Sequence, residues 1–255
     1  VRFLVIKVAF FLGVFFAAHR TAVAEDYPQK EDKDNIDSIV DTALSNYVRL
    51  TAVGREKTGN ATGVAISPKL VVTCYHFWSK VAGWFDRFLG GPQGDKHEEY
   101  GRVLMSAPEL DLMMLEFGRE SFHPSIRFAE KVSLGEYLVS ISNAFGQDGI
   151  YHKFQVVKID ANYIFVQFPN PIAPQGASGA GVYNRKGELV GIIKGPLVDN
   201  KERYTGYLAL IPARKIKVFV EEMAAAYKTY KIFKEQDEVF LGRGGTEERA
   251  KTGGR

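Results

Sequence analysis

Between residues 47 and 212 the sequence is a train of short apolar or alternating runs, each closed by glycine, proline or asparagine. The runs fall at residues 64–66, 70–73, 102–105, 112–117, 137–141, 154–159, 163–168, 181–183, 189–193 and 207–211. Each is strand-length, and their regular spacing with turn residues between them predicts an all-β domain, sandwich or barrel. Helical periodicity is confined to the flanks. Ile36, Ile39, Val40, Ala43, Leu44 and Tyr47 predict a short amphipathic helix, capped by Asp34 or Asn35, after a loose polar stretch at 28–35. Ile216, Phe219, Val220, Met223, Tyr227 and Tyr230 predict a second helix packed on the domain. No internal repeat shows in the raw sequence.

The ends are of another character. Arg2 and Lys7 precede the uninterrupted apolar run 8–18, followed by Ala22-Val23-Ala24 and then Glu25-Asp26. A charged start, a short apolar core and a small-x-small exit are the parts of a secretory signal peptide. Cleavage is expected after Ala24, with the protein exported to the periplasm or secreted; a retained leader would instead anchor it to a membrane. The glycine-rich, apolar-poor end reads as disordered. The organisation expected is a leader at 1–24, a helical segment at 25–46, one domain at 47–212, a helix at 213–240 and a tail at 241–255.

Charge and cysteine content exclude several function classes. The formal net charge of +3 comes from the leader, because from Glu25 onward 30 basic residues face 30 acidic ones. That balance argues against nucleic acid as a partner. A single cysteine, Cys74, excludes a disulfide framework and any multi-cysteine metal centre. Its place within an apolar strand marks it as core. His97-Glu98-Glu99 does not have metalloprotease spacing, and His123 and His152 stand without a ligand pattern. No metal or cofactor is expected.

Three segments each set a reactive residue beside a buried strand. Residues 70–76 form an apolar run that ends in His76, residues 107–115 place Asp111 before another, and residues 174–181 hold Ser178 among small residues. Serine is a weak nucleophile at neutral pH and needs a base, a part that histidine suits. An aspartate behind the ring fixes its tautomer and stabilises the imidazolium. Gly176 permits a turn that aims its own N–H, with that of Ser178, at a developing oxyanion. Together the three segments point to a nucleophilic hydrolase, with Ser178 as nucleophile, His76 as general base and acid, and Asp111 orienting His76.

The chain resembles a chymotrypsin-fold serine peptidase, specifically the bacterial HtrA/Deg-type branch, over roughly residues 47–212. Residues 61–67 resemble the family's strand before the histidine. Residues 135–146, Gly-Glu-Tyr-Leu-Val-Ser-Ile-Ser-Asn-Ala-Phe-Gly, resemble its segment ending in Asn-Pro-Phe-Gly, and residues 186–192 resemble the hairpin after its serine. The resemblance implies two six-stranded antiparallel β-barrels with the site in the cleft between them. It implies protein or peptide substrates, with exported or misfolded proteins as the substrate class. It also implies a primary specificity pocket with Ile172 at its floor, and Ile193, Lys194, Gly195, Tyr207 and Leu208 in its walls. An apolar Ile172 disfavours cleavage after Arg or Lys and favours a small or medium apolar side chain. No PDZ domain is expected in the residues after Pro212.

Four positions depart from the family pattern. Ala177 stands where the family has Asn or Asp, Ala180 where it has Gly, Tyr75 where it has a small residue, and Ala144 where it has Pro. Ala177 removes a polar brace of the oxyanion loop, and the methyl of Ala180 is expected to crowd it. These two substitutions motivate the alternative reading, a catalytically silent module that captures an extended peptide by strand addition.

Overall fold

The computed structural model describes residues 30–54, 58–79, 85–94, 99–168, 170 and 172–244. The expected leader and residues 245–255 lie outside them, as does most of the His97-Glu98-Glu99 segment. The chain divides into two compact units, residues 1–38 and residues 39–255. The first contributes the opening residues of helix α1, Lys30–Asn46; the strands and the site belong to the second.

Twelve strands close into two antiparallel barrels. The first holds β1 (Tyr47–Gly54), β2 (Thr58–Ala65), β3 (Leu70–Cys74), β4 (Phe85–Gly91), β5 (Glu99–Ala107) and β6 (Leu112–Phe117), in the order β1-β2-β3-β6-β5-β4. The second holds β7 (Tyr137–Ser142), β8 (Ile150–Ile159), β9 (Ile164–Gln167), β10 (Gly181–Tyr183), β11 (Leu189–Val198) and β12 (Tyr204–Pro212). Its order, β7-β8-β9-β12-β11-β10, repeats that of the first barrel. The double six-stranded barrel expected from the resemblance is thus the observed fold, and its topological repeat has no counterpart in the raw sequence.

Closure explains why the strands read as nearly continuous apolar runs. Successive side chains on a strand face opposite sides, and on strands such as β6 both sides are buried. On β6, Met113 and Leu115 fill the interior of the first barrel with Val48, Leu50, Val71 and Phe117. Leu112 and Met114 point the other way, into a layer shared with Val64, Val72 and Cys74 of the same barrel and with Val139, Ile141, Tyr183 and Ile192 of the second. Leu138, Phe154, Val166, Val182, Val190 and Leu210 fill the second barrel.

The shared layer also takes in Ile39 and Ala43 of α1, and Ile216 and Phe219 of the C-terminal helix. α1 starts ahead of its apolar stripe, at Lys30, taking in the polar residues 30–35 expected to be loose; Lys30, Glu31 and Lys33 are helix formers. It ends at Asn46, so Tyr47 is not the last residue of the stripe but the first of β1, 3% exposed. The C-terminal helix, Ala213–Gly244, runs past the expected end at residue 240 and takes in the first residues assigned to the tail. Tyr227 reaches the first barrel through a hydroxyl that donates to Glu116 Oε1 at 3.1 Å; the Tyr230 side chain lies outside the described residues. Among the described residues no helix is long and apolar enough to cross a membrane.

Candidate active site

Register brings the first two candidate residues together. β3 and β6 pair antiparallel from Leu70↔Glu116 to Cys74↔Leu112. Beyond that last pair β3 passes into the short helix α2, Tyr75–Ser79, which carries His76 in its first turn. On the partner strand Asp111 sits just before Leu112, closing the 3-10 turn Pro108–Leu110 with φ of 58° and ψ of 37°. Aspartate tolerates this left-handed conformation better than most residues. The turn is held by the Asp111 N–H, which donates to the Pro108 carbonyl at 3.1 Å, and by the Tyr75 N–H, which donates to the Asp111 carbonyl at 3.0 Å.

The Asp111 carboxylate then grips His76 twice. Oδ1 accepts the His76 backbone N–H at 2.8 Å, and Nδ1 of the ring lies 2.9 Å from Oδ2 and 3.1 Å from Oδ1. With Nδ1 donating to the carboxylate, Nε2 is left as an acceptor, and the Ser178 hydroxyl sits 3.2 Å from it. Burial pushes the Asp111 carboxyl up, but hydrogen bonds from the His76 ring and amide, with the charges of His76 and Lys194, outweigh it and hold the group below the usual carboxylate range.

Two successive tight turns carry Ser178, which is the second residue of the second turn. The Ala177 N–H donates to the Pro174 carbonyl at 3.1 Å and the Ala180 N–H to the Ala177 carbonyl at 3.0 Å. The third residue of each turn is a glycine at positive φ, Gly176 at 91° and Gly179 at 86°, a conformation costly for residues with a Cβ. A Cβ on Gly176 would run into the Asn143 carbonyl, and one on Gly179 into the Thr62 carbonyl and the Thr73 hydroxyl. Thr62 of β2 ties the loop to the first barrel. Its N–H donates to the Ser178 carbonyl at 2.9 Å, its hydroxyl donates to the Gly176 carbonyl at 2.9 Å, and the hydroxyl oxygen accepts the Asn143 N–H at 2.9 Å. The Gln175 carbonyl accepts the Phe145 N–H at 2.5 Å. Because the peptide is trans, the Gly176 N–H points to the opposite side. Ala177 and Ala180 are fully buried in the core of the second barrel.

Residues 61–192 match the family model described as a trypsin-like peptidase domain. The chain belongs to the trypsin-like peptidases. No curated protein matches it.

In this trypsin-like domain the two barrels flank a cleft of about 1100 Å³, lined by His76, Asp111, Gly176 and Ser178 together with Lys194 and Gly195. The other proposed specificity residues fall elsewhere. Ile172 is 61% exposed and outside the cleft lining, while Ile193 and Leu208 are buried in the second-barrel core. Tyr207 is 38% exposed, also outside the lining. Strand alternation sends the Ile193 and Leu208 side chains inward, and the Ile193 backbone is taken up by the Ala180 carbonyl and the Gly179 N–H. The lining instead includes Asn60, Tyr75, Tyr163, Phe165, Leu197 and Ala209, none of which sequence reasoning assigned to it. The aromatic pair flanking Ile164 was the one signal available, since alternation places Tyr163 and Phe165 on the face opposite that buried residue.

Ligand atoms of Cys74, His76 and Asp111 lie within 4.8 Å of one another. These groups are already engaged. The Cys74 thiol, pushed well up by burial, donates to the Ile193 carbonyl at 3.2 Å, and the His76 ring nitrogens face Asp111 and Ser178. A cation entering there would also meet the Lys194 ammonium, 3.9 Å from Asp111 Oδ2.

Proposed function

We propose that the protein is a serine endopeptidase that cleaves peptide bonds through Ser178, His76 and Asp111. The observation that carries this reading is the continuous relay from Asp111 Oδ2 to His76 Nδ1 at 2.9 Å and from His76 Nε2 to Ser178 Oγ at 3.2 Å. As Ser178 Oγ attacks the scissile carbonyl carbon, His76 Nε2 takes the hydroxyl proton and Asp111 stabilises the imidazolium. The Gly176 and Ser178 N–H groups donate to the oxyanion of the tetrahedral intermediate. His76 passes its proton to the leaving amine, giving an acyl-enzyme on Ser178. A water, deprotonated by the same nitrogen, attacks the ester, and its collapse releases the acid and restores the serine.

An extended peptide suits the cleft. β11 pairs with β10 only up to Ile192, while the strand runs on to Val198 beside Ser178. An edge of this kind accepts an added strand. Gly195, Leu197 and Ala209 on the cleft wall favour a small or medium apolar side chain at the cleavage position. We place the protein in the HtrA/Deg-type branch on residues 135–146 and 186–192, and outside the cytoplasm on its leader sequence, with exported or misfolded proteins as substrates.

The test is fluorophosphonate labelling of the purified protein and cleavage of an unfolded protein substrate, beside Ser178→Ala. Labelling and cleavage that disappear in the variant are expected. A folded wild-type protein that neither labels nor cleaves overturns the reading in favour of a silent peptide-binding module.

A further inference from the structure

Lys194 is placed by a break in the β11–β12 ladder. Ile193 pairs with Leu210, but the next pair is Gly195 with Ala209, so Lys194 is the extra residue of a β-bulge. A bulge releases one side chain from the alternation of its strand and re-aims it. Ile193 stays in the second-barrel core, while the Lys194 side chain, 36% exposed, reaches into the cleft. There its ammonium donates to the Tyr163 hydroxyl at 2.8 Å, lies 4.7 Å from the Tyr163 ring centroid, and stands 3.9 Å from Asp111 Oδ2. That oxygen is the one 2.9 Å from His76 Nδ1. The carbonyl oxygen of the same lysine lies 3.3 Å from Ser178 Oγ. Lys194 therefore touches both ends of the triad, by its backbone at the nucleophile and by its charge at the carboxylate.

We propose that Lys194 is a positioning residue that acts through Asp111, its Tyr163-braced ammonium cancelling part of the carboxylate's field and so keeping His76 free to accept a proton at mildly acidic pH. The inference rests on the peptidase reading above. A carboxylate beside an imidazole favours the imidazolium, and a second cation at the same carboxylate weakens that preference. Among the described residues His76 and Lys194 are the two bases within ion-pair distance of Asp111. The other titratable groups around the triad carry no opposing charge into it. Cys74 on β3 is a buried thiol held neutral, Tyr163 before β9 is the brace, and Glu109 in the 3-10 turn is exposed to solvent. Lys215 of the C-terminal helix reaches the Tyr163 ring, 5.5 Å from its centroid. Burial pushes the Lys194 ammonium down, but Tyr163 and Asp111 outweigh it and hold it above the ordinary lysine range, so it stays charged across the working pH.

The test compares pH profiles of kcat/KM for the wild type, Lys194→Met, Lys194→Arg and Tyr163→Phe. Lys194→Met is expected to move the acid limb up by roughly half to one pH unit, with a larger loss at pH 6 than at pH 8. Tyr163→Phe should move it the same way by less, and Lys194→Arg should restore it. A rate lost equally at every pH, or an unmoved limb, overturns the inference. A second readout needs no turnover: in the Ser178→Ala protein, the pH at which the His76 ring protonates is followed by NMR with and without Lys194→Met. A rise supports the inference and an unchanged midpoint overturns it, whether or not the wild-type protein labels with fluorophosphonate.

Discussion

Cys74 and Leu112 form the last pair of the β3–β6 ladder, and the chain just beyond that pair carries His76 on one side and Asp111 on the other. The two side chains are 35 residues apart in sequence, yet their meeting follows from strand register alone. A slip of one residue would turn Leu112 and Met114 out of the shared layer and would separate ring from carboxylate.

Asp111→Asn tests what that register achieves. The amide can present an N–H to His76 Nδ1, favouring the tautomer whose Nε2 cannot take the Ser178 proton. The expected outcome is a loss of kcat/KM of about 10³–10⁴-fold, with a cooperative thermal transition retained. Steady-state kinetics beside circular dichroism check it; a loss under tenfold contradicts the assigned role of Asp111.

Thr62→Val addresses the oxyanion loop. It removes the hydroxyl that donates to the Gly176 carbonyl and accepts the Asn143 N–H, both across the barrel boundary. A buried N–H left without its partner costs about 1–3 kcal/mol. Urea unfolding should show a loss in that range, and fluorophosphonate labelling should slow by more than tenfold.

Gly176→Ala acts on the same loop through the backbone. Positive φ and the approach of the Asn143 carbonyl leave no room for a methyl, so the Gly176 peptide must turn. Loss of one oxyanion donor costs about 10²–10³-fold in kcat. Labelling kinetics of the variant decide this, and wild-type rates would place the oxyanion site elsewhere.

His152 predicts how stability varies with pH. Its ring is buried against Phe154 and Phe168, with Nε2 2.6 Å from the Ser142 hydroxyl, and burial lowers its pKa from 6.5 to about 4. The unfolded chain takes up the proton near the ordinary value and the folded chain only near 4, so protons favour unfolding in between. This contribution to stability is complete above pH 6.5 and is lost as pH falls through that window, to a total of roughly 3 kcal/mol. Urea titrations at pH 7 and pH 4.5 should show the decline, and His152→Gln should flatten it.

Asp148 joins the two barrels beside the loop that carries Phe145. Its carboxylate accepts the buried Tyr47 hydroxyl at 2.6 Å, lies 3.4 Å from Arg49 Nη1 and accepts the Gly94 N–H at 3.0 Å. Asp148→Ala takes away the acceptor of the Tyr47 O–H, and a destabilisation of about 1–3 kcal/mol is expected by thermal or urea unfolding.

Local chemistry made much of the fold legible. Ten runs of strand length foreshadowed the two barrels because each strand is apolar on one or both faces. β4 was missed because Phe85-Asp86-Arg87-Phe88-Leu89-Gly90-Gly91 carries two charges and ends in two glycines. β1 was missed because its first residue, Tyr47, fell in step with the stripe of α1. Ile172 was expected at the floor of a pocket and stands exposed, since its place along the chain says nothing of which way the loop before Ser178 turns.

By itself the sequence determined ten of the twelve strands, the flanking helices and the three segments with a reactive residue at the mouth of an apolar run, because those features depend on neighbours along the chain. Tertiary structure alone decided that His76 Nε2 faces Ser178 Oγ, 102 residues away, that Thr62 clasps the oxyanion loop, and that Lys194 reaches Asp111. These contacts depend on barrel closure, ladder register and a single bulge in β11, and none of the three leaves a mark on the residues that it brings together.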